Sequence, residues 1–243
     1  MLDQPDSHLD PEIASTYDDE HADRDVDDVV AVLSRLADGG RAVEFAIGTG
    51  RIAVPLAASG VAVCGMDISE PMLAELRAKP GAAGIDAVVG DMTTTVMGDD
   101  VSLVYLVFNT IMNLRTQAAQ VACFENAARH LRPGGRFVVE VIVPGLRRLP
   151  PGQTARPFDV SEHHLGFDEY LDFDAQILVS HHVTTLPDGS TRRTSSPFRY
   201  VWPSELDLMA RLAGMTLESR HADWDASPFT GDSGAHVSVY VKD

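Results

Sequence analysis

Glu44, Asp67 and Asp91 are the residues best placed to do chemistry, because each closes a short apolar run that reads as a strand. The first run continues Val43-Glu44-Phe45-Ala46-Ile47-Gly48-Thr49-Gly50-Arg51, so a carboxylate is followed at once by two glycines and then a helical segment. Glycine lets backbone turn sharply out of a strand and approach a ligand closely enough for its N–H groups to touch it. A carboxylate at a buried strand end costs desolvation energy, so Glu44 should meet a compensating donor or a cationic ligand. Val61 to Met66 delivers Asp67 in the same way, and Ala87-Val88-Val89-Gly90 delivers Asp91. Three parallel strands that each bring an acid to one edge describe a crevice at their carboxyl ends, suited to a ligand rich in donors and free of phosphate. S-adenosylmethionine has that chemistry: an ammonium and a sulfonium, a ribose diol and an adenine amino group.

Glu44-x-Ala46-x-Gly48-x-Gly50 resembles motif I of the class I S-adenosylmethionine-dependent methyltransferases, Asp67-Ile68-Ser69 their ribose-binding motif, and Gly90-Asp91-Met92 their adenine-binding motif. Ala46 stands where the family usually has glycine. The resemblance is close over residues 41–143 and looser over 200–243. It implies that Glu44 and the backbone of Ala46 and Gly48 hold the methionine end of the donor, with Gly50 and Arg51 also among the donor-binding residues. By the same resemblance Asp67 binds the ribose, Asp91 and Met92 take the adenine, and Ile68, Met72 and Met92 pack on the purine. It further implies that Phe108 offers a carbonyl to the ammonium, that Asn109 lies next to the reacting centre, and that Tyr17-Asp18 closes over the donor. Tyr17 could equally anchor its segment to the core.

Gly48-x-Gly50-x-x-Ala53 also satisfies the dinucleotide fingerprint, with Asp67 at the ribose position, so an NAD(P)-binding or non-catalytic Rossmann-like module is the competing reading. Glu44 and Asp91 weigh against it, since pyrophosphate repels a carboxylate and a dinucleotide needs no third acid. No Gly-Lys-Ser/Thr follows the glycines, which excludes a P-loop.

The 243 residues, 44% of them hydrophobic, suit one α/β domain with additions. A net charge of -17 disfavours a nucleic acid partner, and lysine occurs only at positions 79 and 242. Cys64 and Cys123 do not suggest a disulfide scaffold. The start of the chain has no positive region followed by an apolar one, and no apolar run is long enough for a membrane span; a cytoplasmic monomer or homodimer without metal is expected.

Around these acids the spacing predicts a Rossmann-like, doubly wound and mostly parallel seven-stranded sheet with an antiparallel carboxyl-terminal strand. Four segments follow: an acidic, mobile lid arm over 1–25; a donor-binding core over 26–143; a cap over 144–200; and a helix and strands over 201–243 that complete the sheet. Helices are expected from Val26, Arg51, Ser69, Thr116 and Ser204. Residues 144–176, with four prolines, read as a long irregular connection that forms a lid or binding wall. Ile177–Thr185 and Thr194–Trp202 read as a hairpin around Pro187-Asp188-Gly189.

The acceptor side is less determined. His163-His164 and His181-His182 lack metal-ligand spacing, because adjacent residues on an extended chain point to opposite faces. A cap histidine could act as general base, and His164, near Phe167 and Tyr170, is the first choice. Arg199, Tyr200 and Trp202 could line a pocket or pack the hairpin, with packing favoured for Trp202. The lack of a nucleic-acid patch or a protein-docking domain points to a small-molecule acceptor, and a resemblance to bacterial natural-product methyltransferases in the helix Leu206-x-Leu208-Met209-Ala210-Arg211-Leu212-Ala213-Gly214 implies a secondary metabolite, with a peptide amino terminus as the alternative acceptor.

Overall fold

A computed structural model describes residues 9–21, 26–186 and 188–243. The chain starts α1 (Pro11–Glu20), α2 (Asp27–Ala37), β1 (Arg41–Phe45), α3 (Ala53–Ala58), β2 (Ala62–Asp67) and α4 (Glu70–Ala78). It continues β3 (Asp86–Val89), β4 (Val101–Leu106), α5 (Gln117–His130) and β5 (Leu131–Ile142). β6 (Ala155–Val160), β7 (His164–Asp172), β8 (Ile177–Thr185) and β9 (Thr191–Arg199) come next, then α6 (Pro203–Leu212), β10 (Met215–His221) and β11 (Ala235–Lys242).

Seven strands form one sheet in the order β10-β11-β5-β4-β1-β2-β3, in which β11 runs antiparallel to both neighbours. Strand alternation divides the core into two layers. Val43 and Phe45 face one cluster, sealed by Phe124, Phe137 and Tyr240, while Ala42 and Tyr105 face the other with Leu33, Leu56 and Leu73. Burial of each such side chain contributes about 1.5–3 kcal/mol, which fixes strand register and so the positions of the strand-end acids.

Local chemistry explains where the helices begin. Ser69 Oγ accepts from Met72 N, with Pro71 just inside α4, and Thr116 Oγ1 accepts from Ala119 N at the start of α5. Pro55 is the third residue of α3, inside the first turn, where its missing N–H costs nothing. The expected turn at Leu131–Phe137 is absorbed into β5. Three extra residues bulge out between the pairs Val101↔Leu131 and Leu103↔Arg136, and Gly134 supplies the positive φ.

One expectation is corrected. Residues 144–176 are not an irregular connection, since β6 and β7 pair with the hairpin as a four-stranded antiparallel sheet, β6-β7-β8-β9. Their apolar alternation misleads because it is turned outward: Leu165 and Leu171 are exposed, while His164, Asp168 and Tyr170 share the other face. The described part of the amino-terminal arm contains a helix. α1 is capped by Asp10, buries Ala14 and packs on α4. Pro187 of the hairpin turn and residues 1–8 and 22–25 lie outside the described residues.

Candidate active site

The loop after β1 is shaped by three left-handed residues, Ala46 (φ 53°), Gly48 (φ 54°) and Gly50 (φ 76°). Alanine at 46 adopts this conformation at a cost of about 1–2 kcal/mol, which its neighbours must offset. Asp67 supplies part of that support, accepting from Gly48 N through Oδ2 and from Ser69 N through Oδ1, both at 2.8 Å. The ribose-binding candidate thus also fastens the glycine loop to β2. Gly50 has a packing role, because a Cβ there would overlap Leu76 of α4.

Glu44 is 3% exposed. Its Oε2 accepts from the Tyr105 hydroxyl at 2.9 Å, across the β1–β4 register that pairs these two residues. Burial pushes the Glu44 carboxyl up to about 8, against the pull of that hydrogen bond and of the Arg51 guanidinium. A carboxyl in this state is incompletely compensated by the protein, and a cationic ligand would complete it.

One cavity unites the acids. Tyr17, Glu44, Ala46, Gly48, Arg51, Asp67, Ile68, Met72, Asp91, Met92 and Phe108 all line it; among the expected donor residues Gly50 alone is absent, standing behind the loop. Asp91 holds its own turn, accepting from the Thr93 backbone and hydroxyl at 2.8 Å each. Asn126 donates to the carbonyls of Met92 and Thr95 and ties that turn to α5. Arg51 stacks its guanidinium over the Phe108 ring at 5.0 Å, so a cation stands in the cavity wall close enough to Glu44 to influence it. Tyr17 is braced by His21, whose ring meets the Phe108 edge at 5.4 Å. Asp18 does not close over the cavity: it accepts from Thr49 Oγ1 at 2.6 Å and pairs with Lys79, pinning α1 to the glycine loop.

Two catalytic candidates sit elsewhere. Asn109 turns with φ 63° and spends its side-chain oxygen on Ile142 N at 2.7 Å, so it joins β4 to β5 while Val107, Thr110 and Asn113 line the cavity in its place. His164 is not a lining residue either; it lies in the cap between Asp159 and His182. Tyr200 is buried edge-on to Tyr170. Arg199, 3% exposed, donates to Gln120, Gln176 and Glu205 and locks the cap to α5 and α6. Trp202, expected to pack, is 36% exposed at the start of α6. Tyr105, Thr49 and His21 were not singled out by the sequence. Tyr105 alone had a signal, as an aromatic hydroxyl inside an aliphatic strand.

The fold and the site together define an α/β enzyme for a cationic, phosphate-free nucleoside donor. Residues 42–135 match the family model described as a methyltransferase domain. The chain is 36% identical to the CcbJ methyltransferase from Streptomyces caelestis, with a TM-score of 0.82 over 95% of this chain and 96% of that one. It is 28% identical over 216 residues to a cypemycin N-terminal methyltransferase from a Streptomyces species, covering 86% of this chain and 85% of the relative. CalS10, an amino pentose methyltransferase from Micromonospora echinaspora solved with S-adenosylmethionine bound, shares the fold at 20% identity. Its TM-score is 0.72, over 92% of this chain and 96% of that one. The chain belongs to the class I S-adenosylmethionine-dependent methyltransferases, and the dinucleotide reading is set aside. Among the described residues no helix is long and apolar enough to cross a membrane, and no three potential ligands cluster as a metal site.

Proposed function

We propose that this methyltransferase acts on a small amine of the natural-product type, methylating nitrogen, with the four-stranded sheet as the acceptor-side cap. The observation that carries the reading is the core-facing side of the cap sheet, on which Asp168, Ser180, His182 and Ser196 stand together next to buried Tyr170 and Leu178, while Leu165 and Leu171 face out. A net charge of -17 favours the approach of a cationic acceptor such as an ammonium. The N-terminal methyltransferase among the relatives supports nitrogen as nucleophile.

Within the cavity, Glu44 would receive the donor's ammonium, Arg51 its carboxylate, Asp67 the ribose hydroxyls and Asp91 with the Met92 backbone the adenine. Tyr17 and Phe108 would wall the methyl side, with Ile68, Met72 and Met92 on the purine. When bound, S-adenosylmethionine supplies an electrophilic methyl on a sulfonium that leaves as a neutral thioether. The protein's contribution is then largely to hold a deprotonated nucleophile at about 3–3.5 Å in line with that bond.

Calorimetry with S-adenosylmethionine and S-adenosylhomocysteine, followed by an acceptor panel of amino sugars, small amines and short peptides, tests this reading. Release of S-adenosylhomocysteine with amino sugars or small amines is the expected result. Turnover of peptides alone would favour the amino-terminal reading, and turnover of hydroxyl acceptors alone would overturn nitrogen.

A further inference from the structure

The cap holds a row of three titratable side chains that donor binding does not use. Asp159 on β6, His164 on β7 and His182 on β8 are hydrogen-bonded in sequence: Asp159 Oδ2 to His164 Nδ1 at 2.6 Å, and His164 Nε2 to His182 Nδ1 at 3.0 Å. Gly166, in register with His182, leaves them room. A Cβ at 166 would overlap the Phe158 ring and sit 3.0 Å from His164 Cε1.

The carboxylate gives this row a direction. Asp159 can only accept, so His164 carries its proton on Nδ1 and offers a lone pair at Nε2. His182 must then donate from Nδ1, which leaves its own lone pair at Nε2, 3.5 Å from the Ser180 hydroxyl. The bare nitrogen is therefore at the inner end of the row. His182 shares its face with Leu178 and Tyr170, which pack into the core beneath the cap. Gln120 bonds both Arg199 O at the end of β9 and Ile111 O of the turn whose Thr110 and Asn113 line the donor cavity. On the other side, Glu20 lies three residues beyond cavity-lining Tyr17 on α1, acts electrostatically on His182, and pairs with Arg192 of β9 at 3.4 Å.

We propose that His182 takes the acceptor's proton at Nε2 and that His164 and Asp159 pass it outward. This rests on the amine reading. The ammonium N–H bond breaks and its electron pair stays on nitrogen as the attacking lone pair. As His182 Nε2 gains that proton, Nδ1–H moves to His164 Nε2 and the His164 Nδ1 proton to Asp159. An ammonium and a carboxylate become a neutral amine and a carboxyl group, and the Asp159 side chain, 47% exposed, releases the proton to water. Burial, then His164 and His181, hold the His182 ring below its usual value, opposed by Glu20 and Asp159; His181 itself faces outward, bonded to Glu169 and Ser195. His182 is the catalytic base in this scheme, while His164 and Asp159 act through it as positioning residues.

Long-range 15N NMR of the full chain with S-adenosylhomocysteine at pH 7.5 should find His164 and His182 both protonated at Nδ1 alone. A His182 protonated at Nε2 overturns the proposal whatever the acceptor. With an amine acceptor from the panel, His182→Ala should lower kcat about 10²-fold and abolish the acid limb of the pH profile, with partial rescue by added imidazole. Asp159→Asn should lower kcat about tenfold and move that limb to lower pH, because a negative charge that favours the protonated row is removed. S-adenosylhomocysteine affinity should stay within twofold in both variants. Parental kcat and pH profile in His182→Ala would refute the relay and leave the methyltransferase intact, whereas failure of the parent to turn over any amine while methylating other acceptors would refute the amine reading instead.

Discussion

In the seven-stranded sheet the apolar side chains face helices on both sides and the three acids of the cavity stand at or just past strand ends; in the cap sheet the inward face sets Asp168, Ser180 and His182 beside Tyr170 and Leu178, and Leu165 and Leu171 look outward. The donor edge is thus a hydrophobic frame that delivers three separate acids, while the cap is a hydrogen-bonded surface whose groups depend on one another. Substitutions at the donor edge should accordingly act on donor binding and largely spare the cap. Those in the cap should act on cap assembly or turnover and spare donor affinity.

The largest expected effect is at the joint between the two. Arg199→Ala leaves Glu205 and Gln120 without their buried partner and should cost about 3–5 kcal/mol in denaturant unfolding. If the variant remains folded, its affinity for S-adenosylhomocysteine should match the parent's; a matching loss of donor affinity would mean that the two regions are one cooperative site.

Glu44→Gln should weaken donor binding about 10²-fold by calorimetry, the usual worth of a hydrogen bond between charged groups. The same change should raise the melting temperature of the ligand-free protein at pH 8. The Glu44 carboxyl is held up to about 8 in the folded protein, above its ordinary value, so the folded state binds the extra proton and this group lowers stability progressively as pH rises from about 4.5 toward 8. For the parent, cation binding favours ionised Glu44, so donor affinity should increase with pH up to about 8 and binding at pH 7 should release a proton. Buffers of different ionisation enthalpy measure that release, and a pH-independent affinity would remove Glu44 from the ammonium.

Asp67→Ala should cost about 1.5–3 kcal/mol in donor binding. Because Asp67 also holds Gly48 N and Ser69 N, the variant should additionally lose hydrogen-exchange protection at those two amides while the cap amides stay protected. Unchanged protection would mean that the glycine loop holds itself.

The smallest effect is a gain. Ala46→Gly should stabilise the ligand-free protein by about 1 kcal/mol, since the backbone there is left-handed. No gain in thermal unfolding would mean that the extra freedom of glycine in the unfolded chain cancels the relieved strain.

Much of this was written locally. The run from Val43 to Arg51 combined strand periodicity, a terminal acid and two glycines, so a handful of adjacent residues specified both an element and its chemistry. Ser69, Thr116 and Pro71 fixed helix starts in the same manner. Asn109 was expected next to the reacting centre; its neighbours Phe108 and Thr110 line the cavity, while a second positive φ turns the Asn109 side chain toward Ile142, a direction set by β5 rather than by the local sequence. Tyr105 reaches Glu44 only through the parallel β1–β4 register, across 61 residues of chain.

The sequence by itself determined the frame and the donor, because core strands and glycine turns obey short-range rules of spacing and sterics. Only the tertiary structure decided the cap, since β7 turns Leu165 and Leu171 outward and β6 and β7 take their place from pairing with β8 and β9. It likewise decided that Asp159, His164 and His182 stand in one row. Three side chains that sit five and eighteen residues apart become neighbours only when antiparallel strands bring them to one face, and that alignment follows from register rather than from any local pattern.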